Sequence, residues 1–444
     1  MSRRIFGTDG VRGTVGKEPM TAEFAMRLAS AAARVLVPEG GTVLIGKDTR
    51  VSGYMFESAL EAGFVAAGVD VLLLGPLPTP GIAVLTQDFK ADLGVVISAS
   101  HNPYHDNGIK FFDGHGAKLT DDVEKAIEEQ LAHPAITVPS ASLGMAKRID
   151  TARRRYQAFC ASTMPGNLTL DGLKIVFDGA NGAGYKVGPR LLADLGAEVI
   201  PIGCSPNGRN INAGCGSTQP DLLTTTVPAV GADIGIALDG DGDRVVMVDE
   251  NGGLIDGDQL LYILATSRHA SGTLKGPVVG TVMSNLGLEH ALREQSIEFR
   301  RASVGDRYVL EALRESGGTI GGETSGHMIV LDQTTTGDGL ICALQILAVM
   351  KQSGVPLSKL AAGMPKYPQT MINVRVSKKM NPDDSPAIRN AVASAEASLR
   401  DSGRIVLRAS GTEPVIRVMV EGRDENIVRD LAQQLADVVA EAAG

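Results

Sequence analysis

Short apolar runs alternate with longer stretches of helical periodicity along most of the chain. Early on, strands are predicted over residues 42–46, 69–74 and 91–97, with a helix over residues 54–67 after the first of them. The same order of strands returns twice, over residues 173–177, 197–200 and 232–238, and then over residues 277–282, 297–301 and 318–321. This repeated order predicts three related α/β units with largely parallel sheets.

The pattern changes after residue 365. Strands are now predicted over residues 371–377, 404–408 and 415–420, and helices over residues 386–402 and 424–443. The predicted fold class is α/β, with three related α/β domains of mixed, largely parallel sheets and a smaller C-terminal α+β domain around a central cleft. With 444 residues the chain is long enough for four domains, which we expect to cover residues 1–153, 154–254, 255–366 and 367–444.

Charge and cysteine content narrow the possible functions. Lys and Arg total 42 against 51 Asp and Glu, and the net charge of −9 leaves no basic field to hold nucleic acid or an anionic membrane. The four cysteines are scattered without metal-type spacing and are too few for a disulfide framework in so long a chain. No apolar run reaches bilayer length and no export signal is expected, so we predict a soluble protein of the reducing cytoplasm.

A serine follows the strand predicted over residues 91–97. The next residues, 98–103, read SASHNP, and the Asn-Pro pair cannot continue either a strand or a helix. Open α/β sheets place their chemistry outside the carboxyl ends of their strands, so Ser100 stands where a nucleophile is expected. A plain Ser- and Asn-rich turn is the alternative, and the hexapeptide alone does not separate the two.

Acidic residues follow the corresponding strand of the second unit, in the sequence DGDGDR. Asp239, Asp241 and Asp243 occupy alternate positions and offer hard oxygen ligands on one side of an extended loop, as Mg²⁺ or Ca²⁺ requires. An EF-hand is disfavoured, because Arg244 stands where that loop needs glycine and the flanking residues are strand-like. A solvated acidic turn is the remaining alternative, although Arg244 beside the acids favours a site that also meets an anion.

Two further polar loops complete the set. GETSGH, at residues 322–327, ends the third unit, and equivalent positions in repeated units can face one shared cleft. In the C-terminal domain, residues 408–414 read RASGTEP, with Arg417 beyond them. An arginine, two hydroxyls and the backbone N–H groups of a glycine-containing turn are the components of a phosphate nest. An ordinary hairpin turn is the alternative there.

Together, these loops closely resemble one family, the α-D-phosphohexomutases. The resemblance covers essentially the full chain, because the serine, metal, sugar and phosphate loops are all present and in family order. FGTDGVRG at residues 6–13, SASHNPYHDNGIKFF at 98–112 and VGDRY at 304–308 are similar to bacterial members that act on glucosamine phosphates.

The resemblance implies roles for individual residues. Ser100 would carry a phosphoryl group, one of whose oxygens would join Asp239, Asp241 and Asp243 in holding Mg²⁺. Lys110 matches the family's candidate proton carrier, with a solvated strand residue as the alternative. The other residues that surround the reacting phosphate are Arg12 and His101. The residues implied to bind substrate are Arg244, Arg307, Glu323, Ser325, His327, Arg408, Ser410, Gly411, Thr412 and Arg417.

The implied reaction interconverts glucosamine 6-phosphate and glucosamine 1-phosphate. It proceeds through a phosphoserine enzyme and a glucosamine 1,6-bisphosphate intermediate that also acts as activator, and it would feed UDP-N-acetylglucosamine and cell-wall precursor synthesis. A phosphomannomutase/phosphoglucomutase is the nearest alternative, because spacing does not reveal hydrogen bonds to the sugar 2-position. A Mg²⁺-dependent sugar-phosphate hydrolase is a further alternative. The expected partner is a small sugar phosphate, with a homodimer left open.

Overall fold

The computed structural model describes residues 5–7, 9–166, 168–377, 381–409 and 414–443. The first unit contains β1 (Val11–Thr14), α1 (Ala22–Leu36), β2 (Gly41–Lys47), α2 (Ser52–Ala66), β3 (Val69–Pro76), α3 (Thr79–Asp88), β4 (Leu93–Ile97), β5 (Asp106–Asp113), α4 (Asp121–Gln130) and β6 (Ala146–Arg148). The second contains α5 (Ala152–Ser162), β7 (Lys174–Asp178), α6 (Val187–Asp194), β8 (Glu198–Ile202), α7 (Asp221–Ala229), β9 (Ile234–Leu238), β10 (Val245–Val248) and β11 (Leu254–Ile255).

The remaining elements form a third unit and a smaller C-terminal unit. The third contains α8 (Gly257–Ala270), β12 (Val278–Thr281), α9 (Leu286–Glu294), β13 (Phe299–Ala302), α10 (Asp306–Ser316), β14 (Ile320–Gly322), β15 (Met328–Val330), α11 (Gly339–Ser353) and α12 (Leu357–Ala361). The C-terminal unit contains β16 (Gln369–Arg375), α13 (Pro386–Leu399), β17 (Gly403–Ala409), β18 (Val415–Gly422) and α14 (Glu425–Ala443). None of the described helices is both long and apolar enough to span a bilayer.

The first three sheets share the same arrangement of four adjacent strands, which we call the kernel. Their orders contain β3-β2-β4-β5, β8-β7-β9-β10 and β13-β12-β14-β15. In each kernel the first three strands are parallel, and the fourth returns antiparallel to the third. The predicted repeat and the α/β fold class are therefore confirmed, and the C-terminal unit has an antiparallel sheet with the order β16-β18-β17.

β5, the strand that returns after the serine loop, was not among the strands predicted from apolar runs. β5 carries Asn107 and Lys110 among apolar residues, which hides any simple alternation of polar and apolar positions. Within the sheet β5 lies between β1 and β4, and its six central residues are buried. Lys110 is only 3% exposed, so the alternative of a solvated strand residue is wrong.

One apolar core runs through the first three units. It includes Ile82 of α3, Leu191 of α6, Ile263 of α8 and Leu344 of α11. Helix α5, between the first two units, contributes Tyr156, whose side chain is fully buried. Because all three units share this core, their loops are held at fixed distances from one another.

The C-terminal unit has a separate core and meets the third unit through polar contacts. Its core is built from the inner faces of β18 and α14, as at Val418 and Val428. Arg404 of β17 donates from Nη1 to the carbonyl of Val282 at 2.8 Å and from Nη2 to that of Ser284 at 2.6 Å. These bonds bring the end of β17 to the site described next.

Candidate active site

In each of the first three units, a hairpin loop joins the third strand of the kernel to the fourth. These three loops meet at one place. The β4–β5 loop carries Ser100, whose Oγ donates a hydrogen bond of 2.6 Å to Asp239 Oδ2 in the β9–β10 loop. The β9–β10 loop in turn contacts the β14–β15 loop, since Arg244 pairs with His327 through an isolated bridge. Equivalent positions of the repeat therefore converge on a single place.

The three acids of the β9–β10 loop form a compact buried group. The carboxylate oxygens of Asp239, Asp241 and Asp243 lie within 4.8 Å of one another. Among the described residues, Oδ1 of Asp241 and Oδ1 of Asp243 are buried and have no hydrogen-bond partner. Burial and the two neighbouring carboxylates raise the pKa of Asp239 well above its ordinary value. Unpartnered hard oxygens at this spacing fit a divalent cation.

Lys110 places a positive charge beside these acids. Its Nζ lies 3.0 Å from Asp241 Oδ2, 2.9 Å from Asp9 Oδ2 and 3.9 Å from Asp243 Oδ2. Burial disfavours the charged amine, but the carboxylates outweigh it and raise the pKa of Lys110. Lys110 is therefore a buried ammonium group within reach of the acids of the β9–β10 loop.

A chain of alternating charges links the three units around the site. Lys118 lies 2.7 Å from Asp9 and also bonds Asp306 of the third unit. His327 reaches Asp306 with Nε2 at 3.5 Å and Asp243 with Nδ1 at 3.7 Å. Burial alone would lower the pKa of His327, but the two carboxylates raise it to about 9. With Lys110 between Asp243 and Asp9, the charges close into a ring.

His101 lies next to Ser100. Its Nδ1 is 3.4 Å from Ser100 Oγ. Burial, together with the cations Arg244 and Arg12, lowers the pKa of His101 to about 4. The imidazole is therefore neutral near pH 7 and can hydrogen-bond without adding charge to the site.

A cleft of about 480 Å³ opens above these groups. Residues from all four units line it: Asp9, Arg12, Asp243, Arg244, Val304, Gly305, Asp306, Glu323, His327, Arg408 and Ala409. Within it, Glu323 accepts a hydrogen bond of 2.9 Å from the backbone N–H of Gly305. The cleft thus extends from Arg408 of the C-terminal unit to Asp243 of the β9–β10 loop.

Not every residue singled out from the sequence lies in this cleft. Arg307 turns away, because its guanidinium donates to Asp121 at 2.5 Å and to the carbonyl of Leu119 at 2.9 Å. Ser325 is exposed and is absent from the lining of the cleft. Arg417 is the cross-strand partner of Arg408 in the β17–β18 ladder. The predictions for Ser410, Gly411 and Thr412 fall outside the described residues.

Several residues of the candidate site were missed in the sequence. Asp9 lies in the glycine-rich opening, and Asp306 lies in VGDRY, two stretches that had been noticed without a role for either acid. Lys118 pairs with Phe112 in an isolated bridge, and no local pattern indicates its charged partners. Thr79 at the start of α3 donates to Asp241 Oδ2 at 2.7 Å. Spacing could not reveal these residues, because each acts on a partner far away in the chain.

Comparison with known proteins now identifies the family. Profiles of phosphoglucomutase/phosphomannomutase domains match in order: α/β/α domain I at residues 3–135, domain II at 155–253, domain III at 256–367 and the C-terminal domain at 371–438. The chain belongs to this family. It is 57% identical over 443 residues to a phosphoglucosamine mutase from Aeromonas salmonicida, with 100% of each chain covered. It is 56% identical to one from Thiobacillus denitrificans, covering 100% of this chain and 98% of that one.

Solved structures agree in fold. A phosphoglucomutase/phosphomannomutase family protein from Burkholderia thailandensis superposes with a TM-score of 0.83 at 25% identity, covering 100% of this chain and 98% of that chain. The N-acetylphosphoglucosamine mutase of Aspergillus fumigatus, determined with GlcNAc-6P and magnesium, gives a TM-score of 0.69 at 18% identity, covering 99% and 96%. The enzyme described here therefore shares the four-part architecture of the family.

Lys118 lies outside the four loops singled out in the sequence, but it pairs with both Asp9 and Asp306 in the ring of charges. We expect Lys118→Met to lower both stability and kcat/KM, because it leaves Asp9 and Asp306 without their shared cation. Removing one partner of a buried ion pair costs about 3 to 5 kcal/mol, and the lower end suits this partly exposed group. Thermal unfolding and steady-state kinetics measure the two effects.

Lys125→Met serves as the matched control, because Lys125 is exposed on α4. It should behave like the wild type. A Lys118→Met enzyme with unchanged Tm and unchanged kcat/KM would show that the ring is dispensable.

Proposed function

We propose that this enzyme interconverts glucosamine 6-phosphate and glucosamine 1-phosphate. The observation that carries the proposal is the buried hydrogen bond between Ser100 and Asp239 inside the group of three acids. A nucleophilic hydroxyl held against a cation site is the arrangement that phosphoryl transfer needs. The choice of the amino sugar rests on the full-length relatives, which are phosphoglucosamine mutases.

In the first half-reaction, Ser100 begins as a phosphoserine. The 1-hydroxyl of glucosamine 6-phosphate attacks phosphorus, the bond from phosphorus to Ser100 Oγ breaks, and glucosamine 1,6-bisphosphate forms. The hydroxyl loses a proton and Ser100 Oγ gains one. We assign this proton exchange to Lys110, whose ammonium Nζ lies 3.0 Å from Asp241 Oδ2. Lys110 would give a proton to the departing Ser100 Oγ and take one back from the sugar hydroxyl.

In the second half-reaction, the bisphosphate presents its other phosphate to the free serine. Ser100 Oγ loses its proton as it attacks the 6-phosphoryl group, and the bond from phosphorus to the sugar O6 breaks. O6 gains a proton through Lys110, and glucosamine 1-phosphate leaves. The hydrogen bond from Ser100 to Asp239 orients the hydroxyl for this attack. Arg12, Arg244 and neutral His101 surround the reacting phosphate.

We propose Mg²⁺ as the cofactor, bound by Asp239, Asp241, Asp243 and an oxygen of the Ser100 phosphoryl group. When bound, the ion would neutralise negative charge on the phosphoryl group in transit. The unpartnered oxygens of Asp241 and Asp243 support this assignment.

We propose that the C-terminal unit holds the phosphate that is not reacting. Arg408 lines the cleft, and Arg417 lies directly across the ladder from it. Glu323 lines the same cleft, and we assign it to the sugar hydroxyls, which would lie between the two phosphates. Because the bisphosphate must turn over between half-reactions, the Arg408 end has to accept either phosphate, and free bisphosphate can act as activator.

We further propose a cytoplasmic location. The four cysteines are all free, and free thiols are typical of a reducing compartment.

The direct test is a coupled assay with the 6-phosphates of glucosamine, glucose and mannose. We expect the wild type to prefer glucosamine 6-phosphate and Ser100→Ala to lose nearly all turnover, because no phosphoryl carrier remains. Intact-mass analysis and peptide mapping after incubation with glucosamine 1,6-bisphosphate should place one phosphate on Ser100. Phosphate release to water without isomerisation would indicate a hydrolase, and preference for mannose or glucose phosphate would exclude the amino sugar.

Asp241→Asn should fold normally and require much more Mg²⁺. The amide oxygen of asparagine can still accept the hydrogen bonds that Thr79 and Lys110 donate to Oδ2. The substitution removes the negative charge and replaces Oδ1, which has no hydrogen-bond partner among the described residues, so we expect the apparent Mg²⁺ affinity to fall at least about tenfold. Rates measured across a Mg²⁺ titration give the shift. Asp233→Asn, exposed at the opposite end of β9, is the control. An unchanged Mg²⁺ dependence in Asp241→Asn would remove this loop from the metal site.

Arg408→Ala should weaken both reaction directions and increase dependence on added bisphosphate. A charge-assisted hydrogen bond contributes about 1.5 to 3 kcal/mol, which corresponds to a loss in kcat/KM of roughly ten- to a hundredfold. A poorly held intermediate escapes and leaves unphosphorylated enzyme, which glucosamine 1,6-bisphosphate reloads. Initial rates against added bisphosphate measure the effect, with exposed Arg429→Ala of α14 as control. Identical activation curves would contradict the role of Arg408.

A further inference from the structure

One fully buried arginine holds the backbone of the serine loop. Arg50 follows β2, is 0% exposed and uses every N–H of its guanidinium inside the protein. Nε donates to Asp48 Oδ2 at 2.7 Å. Nη1 and Nη2 donate to four carbonyls of the β4–β5 loop, those of Ser100, Asn102, Pro103 and Asp106. A single rigid fork therefore fixes most of the loop.

A second donor reaches the same carbonyls from the second unit. Asn212, in the segment between β8 and α7, is 7% exposed. Its Nδ2 donates to the carbonyl of Ser100 at 2.9 Å and to that of Asn102 at 3.2 Å. Gly240 permits this approach, because a Cβ there would lie 2.6 Å from the Ser100 carbonyl oxygen and 2.7 Å from Asn212 Nδ2. The serine loop thus accepts hydrogen bonds from side chains of both the first and the second unit.

These hydrogen bonds hold the backbone of Ser100 in a conformation that serine rarely adopts. Its φ is +51°, in the left-handed region. Its N–H donates to Ser98 Oγ at 2.9 Å, and Ser98 Oγ donates to Asp48 Oδ2 at 2.6 Å. Both backbone polar groups of Ser100 are therefore engaged, which balances the cost of the unusual φ.

We propose that Arg50 and Asn212 form a clamp that positions Ser100 for phosphoryl transfer in both half-reactions. The inference rests on the proposed function. Asn212 ties the serine to the sheet that carries the acids, so the distance between Ser100 and Asp239 stays fixed while the bisphosphate turns over. Neither clamp residue lines the cleft or touches the reacting groups with its side chain. Both are positioning residues, and a displacement of about 1 Å can lower a rate about a hundredfold.

Asn212→Gly tests the clamp without disturbing the local backbone. Asn212 has a φ of +58°, a conformation that glycine adopts without strain. We expect kcat to fall about ten- to a hundredfold at saturating Mg²⁺, with KM for glucosamine 6-phosphate little changed. The rate at which glucosamine 1,6-bisphosphate phosphorylates Ser100, followed by quenched intact mass, should fall by the same factor.

Asn212→Asp separates positioning from packing. Aspartate keeps the shape of asparagine but turns an oxygen towards two carbonyl oxygens, so a positioning role predicts kcat below that of Asn212→Gly. A packing role predicts the reverse order, because aspartate fills the same space, and that result would overturn the clamp.

Ser296→Gly is the matched control. Ser296 is exposed, has a φ of +60° and lies just beyond α9, far from the serine loop in the chain. It should retain wild-type kcat. An active wild type with an equally active Asn212→Gly would overturn the clamp alone, whereas a wild type inactive on sugar phosphates would refute the proposed function and the clamp with it.

Discussion

Negative charge confined in a buried cleft is the constraint on which the rest of the structure depends. Asp239, Asp241 and Asp243 lie within 4.8 Å of one another and are buried. Carboxylates so close repel strongly in a medium of low dielectric constant, and burial adds the cost of lost hydration. Lys110 beside the acids offsets part of this repulsion, and the unpartnered carboxylate oxygens fit a divalent cation that would offset more of it.

That balance depends on contributions from separate parts of the chain. Lys110 and Lys118 come from the first unit, the acids of the β9–β10 loop from the second, and His327 from the third. Several ion pairs of the site join groups from different units, so these charges compensate one another only when the units pack together. The apolar core shared by the three units supplies the burial free energy that keeps them together.

The C-terminal unit has a different physical relation to the site. Its core is separate, and Arg404 joins it to the third unit through carbonyl oxygens. Arg408 therefore reaches the cleft from a unit that is not built into the common core. This division suits the proposed reaction, in which Ser100 and the three acids must keep their positions while the intermediate changes orientation.

The sequence by itself determined the repeat, the fold class and the loops that carry the chemistry. Apolar runs of strand length and the polar loops at their ends are local features of the sequence. A motif such as DGDGDR likewise indicates a possible metal site within six residues. Tertiary structure alone decided which residues balance the charge and hold the nucleophile. Lys118 and Asp306 are 188 positions apart, and Asn212 is 112 positions from Ser100. Such pairs leave no periodic signal in the sequence, because they form only when separate sheets pack against one another.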